Sequence, residues 1–398
     1  MSELYSRLET KKNAALTGGD LIVYTDPEDK TIISEFKQRE DFESKRISRL
    51  IDLPDLSRKP NSPVKFIIDA VLGIPELKGF DVLEIPETAT VEKSFDLFNV
   101  PADHPSRKKT DTYYVAPERL LRTHTTIMWY YYLNDPEIRK KLEEEGSVKT
   151  LAFGKVYRKD EIDHTHFPVF HQVDALYLVR KTDEAVTIET LQKVWADLIK
   201  AVFGPEIEYQ FLEDSFPFTD PSSQVEIKNG DKWLEVVGGG LVHKKVLEHM
   251  NIDPEKYHGW AFGFGLERLA MIKNKIPDIR ILWSDDERIT SQFTNLNSEF
   301  KDISKYPAIT RDISFIVEKT MSLNSFYEIV RDFGGELVEE VSLMDQYEND
   351  AKLGADKKSY TFHIVFRSYE RTLLNSEIND MFKQIEDSVR KELNAVIR

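Results

Sequence analysis

Two segments of the chain carry an arginine in a setting that suits chemistry on phosphates or carboxylates. The first, residues 151–176, reads LAFGKVYRKDEIDHTHFPVFHQVDAL, with two strand-like halves around a polar loop and Arg158 at the end of the first half. A guanidinium at a strand end can hold a carboxylate or phosphate through two parallel hydrogen bonds. It can also offset the charge that develops when an adenylate forms. The alternative to a ligand-binding role for Arg158 is that the segment is a solvated loop with ordinary surface salt bridges.

The same loop contains two histidines, His164 and His166, that are two residues apart. Histidines at this spacing can share a metal ion, but a structural or catalytic site needs at least three protein ligands. No third ligand stands nearby in the sequence. The residues therefore leave the metal ligands unknown.

The second arginine segment, residues 259–272, reads GWAFGFGLERLAMI. Gly263 and Gly265 partly match the dinucleotide-binding fingerprint, but Arg268 stands where that motif needs a third small residue, and no parallel strand is predicted before it. A Rossmann site is therefore excluded. What remains is a glycine-bearing strand that turns into a helix, with the guanidinium of Arg268 where the backbone can approach a ligand closely.

A third segment pairs aromatic side chains with glycines. Phe216 and Phe218 would point to the same face of a strand and could hold another aromatic ring edge-to-face, at about 0.5 to 1.5 kcal/mol per contact. The alternative is that Phe216 and Phe218 are both part of the hydrophobic core and bind no ligand. The run 238–240 is all glycine and predicts a wall where a ligand or another backbone packs closely.

The elements that must position these residues form two units. Residues 120–282 are strand-rich and predict an antiparallel sheet, with an Asn-Gly hairpin in KNGDK at 228–232 and one helix at 187–203. From about residue 303 the order is β-α-β-β-α-β, the split βαβ arrangement. Earlier, a helix is expected over 33–53 and another after Ser62 and Pro63. The predicted boundaries are an N-terminal extension at 1–60, a catalytic domain at 61–290, a linker at 291–302 and a C-terminal domain at 303–398.

Composition limits the classes of protein. The 398 residues include no Cys, so disulfides, Cys metal sites and Cys nucleophiles are excluded. The formal net charge of −16 argues against gripping nucleic acid by overall charge, so any RNA contact must use local basic patches. No apolar run reaches the ~18 residues that a membrane helix needs, and the first residues match neither a signal nor a transit peptide. We therefore expect a soluble intracellular protein without a membrane partner.

Taken in order, these segments resemble the class II aminoacyl-tRNA synthetases, and specifically the single-chain, mitochondrial-type phenylalanine–tRNA ligases. The segment 154–175 is similar to motif 2 of that family and 259–272 to motif 3, while YPAITRDISF and ERTL, at 306–315 and 370–373, are similar to its anticodon-binding domain. The resemblance is strong from Pro101 to the C-terminus. It implies an α+β fold: a class II antiparallel sheet flanked by helices, followed by a ferredoxin-like domain.

The resemblance also implies roles for individual residues. Arg158 and Arg268 would be catalytic and would bind ATP together with Phe170, which would stack on adenine, and His166. The implied amino-acid site consists of His124, Thr126, Gln172, Asp174, Phe216, Phe218, Gly240 and Ala261. Asp174 and Thr126 stand where Glu and Ser are usual, so a bridging water could replace direct contact of Asp174 with the substrate ammonium. Lys305, Arg367 and Arg371 are weak candidates for tRNA contacts, with plain surface charge as the alternative.

The implied activity is the ATP-dependent activation of L-phenylalanine and its transfer to tRNA(Phe), with Mg²⁺ as cofactor. The expected state is a monomer in the cytoplasm, with an organelle matrix as the alternative compartment. Two other functions compete: a non-catalytic, synthetase-derived RNA-binding protein, and a ligase for another amino acid or acceptor. Retention of Arg158 and Arg268 disfavours the first, and the pair Phe216 and Phe218 disfavours the second.

Overall fold

The structure, a computed structural model, describes residues 6–302 and 306–398, which form two compact units. The first unit contains the described residues up to Arg158, together with Val169–Ile276 and Phe293–Glu299. The second contains Lys159–Pro168, Pro277–Gln292 and the described part of Phe300–Arg398.

The strands are β1 (Ser6–Lys11), β2 (Leu21–Thr25), β3 (Asp81–Glu84), β4 (Thr88–Thr90), β5 (Tyr114–Ala116), β6 (Arg119–Leu121), β7 (Ser147–Tyr157), β8 (Val169–Arg180), β9 (Tyr209–Phe216), β10 (Thr219–Asn229), β11 (Lys232–Val242), β12 (Tyr257–Gly265), β13 (Ile309–Glu318), β14 (Val338–Tyr347), β15 (Lys357–Phe366) and β16 (Val396–Ile397). The α-helices are α1 (Pro27–Lys37), α2 (Phe42–Asp52), α3 (Pro63–Leu72), α4 (Val91–Ser94), α5 (Met128–Leu133), α6 (Pro136–Glu145), α7 (Ile188–Phe203), α8 (Lys244–His249), α9 (Leu266–Lys273), α10 (Glu287–Thr290), α11 (Leu323–Gly334), α12 (Asp350–Leu353) and α13 (Asn375–Glu392).

The first unit is built on a sheet in which the described strands follow the order β1-β2-β3-β7-β8-β12-β11-β10-β9. From β7 to β9 every neighbouring pair is antiparallel, which confirms the predicted antiparallel sheet. The other edge differs, because β3 pairs in parallel with both β2 and β7. The segment predicted as an N-terminal extension thus supplies β1 and β2 to this sheet.

Local signals placed several elements correctly. The predicted helix at 187–203 is α7, with Thr187 as its N-cap, and its apolar stripe is buried. Alternation of buried positions every three or four residues fixes which face of α7 packs on the sheet. The expected Asn-Gly hairpin joins β10, which ends at Asn229, to β11, which begins at Lys232.

The expected single helix over 33–53 is wrong, because this region belongs to two helices. α1 ends at Lys37, and α2 begins after Asp41, whose side chain accepts a hydrogen bond from the backbone N–H of Ser44. An N-cap of this kind satisfies a backbone donor at a helix start and so favours a new helix. The next helix, α3, begins at Pro63 as predicted, but the Ser62 side chain makes no cap hydrogen bond.

The second unit has the predicted β-α-β-β-α-β order. Its sheet runs β14-β15-β13-β16 and is antiparallel throughout, with α11 and α13 contributing buried apolar residues. Phe315, Phe326 and Phe362 stack in its core, with Phe326 and Phe362 ring centroids 4.3 Å apart. Ile162 belongs to the same core, and its carbonyl accepts a hydrogen bond from the Val341 N–H at 3.0 Å.

Over residues 6–302 and 306–398, none of the helices has the length and apolar character needed to cross a membrane.

Trp195 on α7 should be a main contributor to the stability of the first unit. Its ring is fully buried, with the rings of Phe211 and Phe262 6.3 and 6.5 Å away. Trp195→Ala leaves a large cavity and should lower the free energy of unfolding by ~3–5 kcal/mol. Chemical denaturation monitored by circular dichroism measures this. Lys193→Ala, on the exposed side of α7, is the matched control and should change stability by no more than ~0.5 kcal/mol. Equal effects of the two variants would contradict the predicted core role.

Candidate active site

Strand β8 positions three of the predicted site residues on one face. Successive side chains of a strand point to opposite sides, so Phe170, Gln172 and Asp174 share one face, while His171 lies on the other and is fully buried. Register places Gln172 opposite Gly154 of β7 and Gly265 of β12, and Asp174 opposite Gly263. A Cβ on Gly154 would lie 2.8 Å from the Arg122 side chain and one on Gly265 would lie 3.8 Å from the Phe170 ring, so neighbouring side chains pack over these glycines.

Arg158 follows β7 directly and lies over the adenine-stacking candidate. Its guanidinium carbon is 5.1 Å from the centroid of the Phe170 ring, a cation–π arrangement. Its Nε donates a hydrogen bond to the carbonyl of Thr123 at 3.2 Å. The side chain remains exposed, so the charged group can reach a ligand above the Phe170 ring.

Arg268 is presented by the first turn of α9. That helix starts directly after Gly265, whose Cα hydrogen faces the Phe170 ring, because a Cβ built there would lie 3.8 Å from the ring. The exposed guanidinium donates a hydrogen bond to the carbonyl of Glu235 at 3.2 Å. Arg158 and Arg268 therefore both belong to the first unit. The Phe170 ring lies beside Arg158 itself and beside Gly265, which directly precedes the helix that carries Arg268.

His124 presents a hydrogen-bond acceptor rather than a charge. Its Nε2 donates to the carbonyl of Ser94 at 3.1 Å, which leaves Nδ1 as the unprotonated nitrogen of the neutral ring. Burial and the nearby charge of Arg158 lower the pKa of His124 to about 4, so the ring stays neutral at physiological pH.

Two buried acceptors in this region lack a protein partner. Within the described part of the chain, neither Nδ1 of His124 nor Oε1 of Gln172 accepts a hydrogen bond, although both atoms are shielded from solvent. A buried polar atom without a partner costs about 1 to 3 kcal/mol, and such atoms are uncommon in folded proteins. Two neutral acceptors left in this state suit a bound ammonium group.

Asp174 is held by two hydroxyl groups. The Thr126 hydroxyl donates to it at 2.7 Å, and the Thr125 hydroxyl donates to its other oxygen. Burial raises the pKa of Asp174 to about 6, against the opposing effect of these hydrogen bonds. A Cβ on Gly263 would lie 2.5 Å from the carboxylate, so only glycine fits there. The Thr126 hydroxyl thus donates its proton to Asp174, which leaves its oxygen lone pairs to accept from another donor.

Aromatic rings continue from His124 to the predicted phenylalanine pair. Phe98 packs edge-on against both His124 and Phe218, with ring centroids 5.9 and 6.4 Å apart. Trp129 packs edge-on against Phe98 and Phe218 as well. The rings of Phe216 and Phe218 stack on each other at 6.0 Å with a 10° interplanar angle, across the turn between β9 and β10 rather than along one strand.

The glycine run on β11 is explained by close packing within the protein. A Cβ on Gly238 would lie 2.7 Å from the Phe216 ring, and a Cβ on Gly240 would lie 2.2 Å from the carbonyl of Pro221. Gly240 pairs with Ala261 of β12, which is buried and belongs to the same core as Trp129 and the partly buried Phe218. Ala261, which the resemblance places in the amino-acid site, and the predicted glycine wall are therefore neighbours in the sheet.

Other predicted residues lie outside this group. His166 belongs to the second unit, where its Nδ1 is 2.8 Å from Asp163, and the hydrogen bond to that carboxylate raises the pKa of His166. Arg367 pairs with Glu339, and Arg371 pairs with Glu377.

Lys305, a predicted tRNA contact, and the metal ligands, which the sequence leaves unknown, remain to be considered. Lys305 lies outside the described residues. Elsewhere along residues 6–302 and 306–398, no group of three or more His, Asp or Glu side chains is arranged to hold a metal ion.

The site also contains residues that the sequence analysis did not single out. Phe98, Trp129 and Thr125 each contact a predicted site residue, and the carbonyl of Ser94 fixes the tautomer of His124. Thr125 could have been found as the neighbour of Thr126. Trp129 follows His124 by five residues, and Ser94 and Phe98 share one segment, but no pattern in either segment marks these residues as contacts of the site, which only the fold shows.

Comparison with known proteins assigns two segments of the chain to families. Residues 52–293 match the family of tRNA synthetases class II core domain (F), and residues 304–398 match the ferredoxin-fold anticodon binding domain.

Curated relatives cover most of the chain. A chloroplastic/mitochondrial phenylalanine–tRNA ligase of Arabidopsis thaliana is 40% identical over 79% of this chain and 72% of the relative. A probable mitochondrial phenylalanine–tRNA ligase of Drosophila melanogaster is 37% identical over 82% of this chain and 80% of the relative. A phenylalanine–tRNA ligase alpha subunit of Caldicellulosiruptor saccharolyticus is 38% identical over 54% of this chain and 63% of the relative. The chain therefore belongs to the phenylalanine–tRNA ligase family of class II tRNA synthetases, with a ferredoxin-fold anticodon-binding domain at its C-terminal end.

Proposed function

We propose that this protein activates L-phenylalanine with ATP and transfers it to tRNA(Phe) through a phenylalanyl-adenylate. The observation that carries the proposal is that two buried acceptors, Nδ1 of His124 and Oε1 of Gln172, have no hydrogen-bond partner among the described residues, and that the His124 ring packs against an aromatic cluster containing Phe98 and Phe218. An amino acid with an aromatic side chain supplies what each part lacks: an ammonium for the acceptors and a ring for the cluster. The names of the relatives support the same amino acid.

The amino-acid site holds the substrate at both ends. The ammonium would donate to His124 and Gln172, while Asp174 supplies negative charge from behind Thr125 and Thr126. Because Phe216 and Phe218 already stack on each other, the substrate ring would meet the pair edge-to-face. These contacts fix the carboxylate relative to Arg158.

Catalysis would need no covalent protein intermediate. The phenylalanine carboxylate attacks the α-phosphorus of ATP and pyrophosphate leaves, while Arg158 and Arg268 offset the developing charge and Phe170 stacks on adenine. Mg²⁺ bound with the nucleotide would supply further charge neutralisation. In the second step the terminal hydroxyl of tRNA attacks the acyl carbon of the adenylate, which gives Phe-tRNA and AMP.

Contacts with tRNA and the compartment belong to the same proposal. The ferredoxin-fold domain would bind the anticodon, with Arg367 and Arg371 as weak contacts because each already pairs with a carboxylate. We propose a monomer, as expected for a single-chain enzyme of this family. The names of the Arabidopsis and Drosophila relatives place those proteins in mitochondria or chloroplasts, which supports an organelle matrix over the cytoplasm for this chain.

One experiment tests the proposal against both competing functions. ATP–pyrophosphate exchange is measured with each of the twenty amino acids, and charging of total tRNA follows. We expect exchange with phenylalanine above all others and charging of tRNA(Phe). Absence of exchange would favour a non-catalytic binding protein, and exchange with another amino acid would favour a ligase of different specificity.

Removal of the motif 2 arginine should abolish most of the activity. Arg158→Ala should lower kcat/KM for phenylalanine-dependent exchange by ~100- to 1,000-fold, because one preorganised positive group opposite the transition-state charge is lost. Arg180→Ala, at the far end of β8, removes a half-buried arginine that pairs with Asp183 and should leave kcat/KM within about twofold. If Arg158→Ala lowers kcat/KM only slightly, Arg158 is not a catalytic residue.

Pocket size should be set by Ala261. Ala261→Gly should admit p-chlorophenylalanine and raise its exchange rate relative to phenylalanine by ~10-fold or more, because a buried methyl group is replaced by space for the para substituent. Ala175→Gly removes an equally buried methyl group from β8, opposite Phe262, and serves as the control. If both variants discriminate as the wild type does, Ala261 is not the pocket floor.

Phenylalanine activation should depend on the charge of Asp174. Its carboxyl has a pKa of about 6, so it is ionised above that pH and attracts the substrate ammonium. Below pH 6 it becomes protonated, and kcat/KM for phenylalanine should fall by up to about tenfold per pH unit. His124, with a pKa of about 4, stays neutral over this range.

The control for this pH dependence is Asp174→Asn. This variant should have a low kcat/KM that no longer changes between pH 5 and 7. If kcat/KM of the variant still falls below pH 6 as it does in the wild type, a group other than Asp174 causes the fall.

A further inference from the structure

Glu267, the residue before Arg268, is buried against β8, and its carboxylate binds His171 through both oxygens. Both oxygens accept a hydrogen bond from the backbone N–H of His171, at 2.9 and 2.8 Å, and Oε1 also lies 2.6 Å from Nδ1 of the same residue. Both side chains are almost completely buried. Hydrogen bonds to a charged acceptor in such surroundings are stronger than neutral ones.

The opposite side of the His171 ring is fixed as well. Its Nε2 accepts a hydrogen bond from the backbone N–H of Leu56 at 2.9 Å and lies 3.3 Å from the carboxylate of Asp55. Burial lowers the pKa of His171, but the facing carboxylates of Glu267 and Asp55 outweigh it and raise the pKa overall. The ring is therefore held between two acidic groups from different segments.

The residues next to this pair are the proposed ATP contacts. His171 stands between Phe170 and Gln172 on β8, and Glu267 stands next to Arg268 at the start of α9. Because alternate side chains of a strand point to opposite faces, fixing the N–H and the ring of His171 on the buried face also fixes Phe170 on the ligand face. The same carboxylate fixes the first turn of α9.

We infer that Glu267 is a positioning residue for ATP binding: its contacts with His171 hold the helix that carries Arg268 at a fixed placement relative to the adenine-stacking ring of Phe170. The inference rests on the proposed function, in that it takes Arg268 and Phe170 as the ATP contacts. Glu267 itself need not touch the nucleotide. Its effect should therefore fall more on ATP, because Arg268 and Phe170 both adjoin the pair, than on phenylalanine, for which only Gln172 among the proposed ammonium contacts adjoins it.

The test is Glu267→Gln, measured by the separate KM values for ATP and phenylalanine in pyrophosphate exchange. Gln offers one acceptor oxygen where three hydrogen bonds now end, so we expect the KM for ATP to rise ~10-fold through misplacement of Arg268 and Phe170. The KM for phenylalanine should stay within about twofold. Titration calorimetry with ATP reads the same change without depending on the amino acid.

Two further variants separate positioning from stability. His171→Asn keeps the backbone hydrogen bonds to Glu267 and loses the imidazole, so its KM for ATP should lie between those of the wild type and Glu267→Gln. Asp81→Asn alters another buried carboxylate, which accepts from Tyr132 and from the Asp20 N–H. It should lower the melting temperature while leaving ATP binding within twofold.

Distinct results would overturn the inference and the proposed function. Unchanged ATP affinity in Glu267→Gln, with a lower melting temperature like that of Asp81→Asn, would make Glu267 purely structural. If the KM for ATP and the KM for phenylalanine rise equally in Glu267→Gln, the contact between Glu267 and His171 does not act specifically on the ATP contacts. Loss of phenylalanine-dependent exchange in the wild type, with ATP binding still weakened in Glu267→Gln, would reject the amino-acid assignment alone.

Discussion

The site depends above all on the pairing of β8 between β7 and β12. This register makes one face of β8 a ligand-facing row and the other face a buried row. Phe170, Gln172 and Asp174 form the first row, and His171 is in the second. A shift of one residue would exchange the two rows completely. It would bury the Phe170 ring and expose His171, which joins β8 to α9 through Glu267.

Glycines of β12 allow that pairing. A Cβ on Gly259 would lie 1.8 Å from the carbonyl of Tyr177, and a Cβ on Gly263 would collide with Asp174. Glycine at these positions therefore allows close approach of β12 and β8, not a left-handed backbone. This explains why the glycines of 259–265 share only their composition with a dinucleotide-binding loop: they serve antiparallel packing, and the strand they belong to ends in a helix bearing Arg268.

Electrostatics divides the site into a neutral and a charged part. At the amino-acid end, burial keeps His124 neutral and raises the pKa of Asp174, so this part of the protein presents acceptors and one tunable carboxylate. At the nucleotide end, Arg158 and Arg268 are exposed and keep their charges available. A zwitterionic amino acid fits between these parts, because its ammonium needs acceptors and its carboxylate needs positive charge.

The sequence by itself determined the elements and the chemical types of the site. Apolar periodicity predicted α7, the Asn-Gly turn predicted the β10–β11 hairpin, and the order of elements predicted the C-terminal fold, because each depends on contacts that are close along the chain. The two arginines and the phenylalanine pair were visible as local patterns. The break between α1 and α2 was missed, because a single N-cap at Asp41 outweighs a continuous apolar pattern.

Only the tertiary structure decided which atoms are left for a ligand. The Thr126 hydroxyl donates to Asp174 and can offer a ligand only its acceptor lone pairs, Phe98 and Trp129 join the aromatic cluster, and Ser94 makes Nδ1 of His124 an acceptor. It also showed that the glycines of β11 pack against the protein itself. These outcomes depend on hydrogen bonds and ring contacts between segments far apart in the chain. Such contacts leave no period or spacing in the sequence, so no local pattern could predict them.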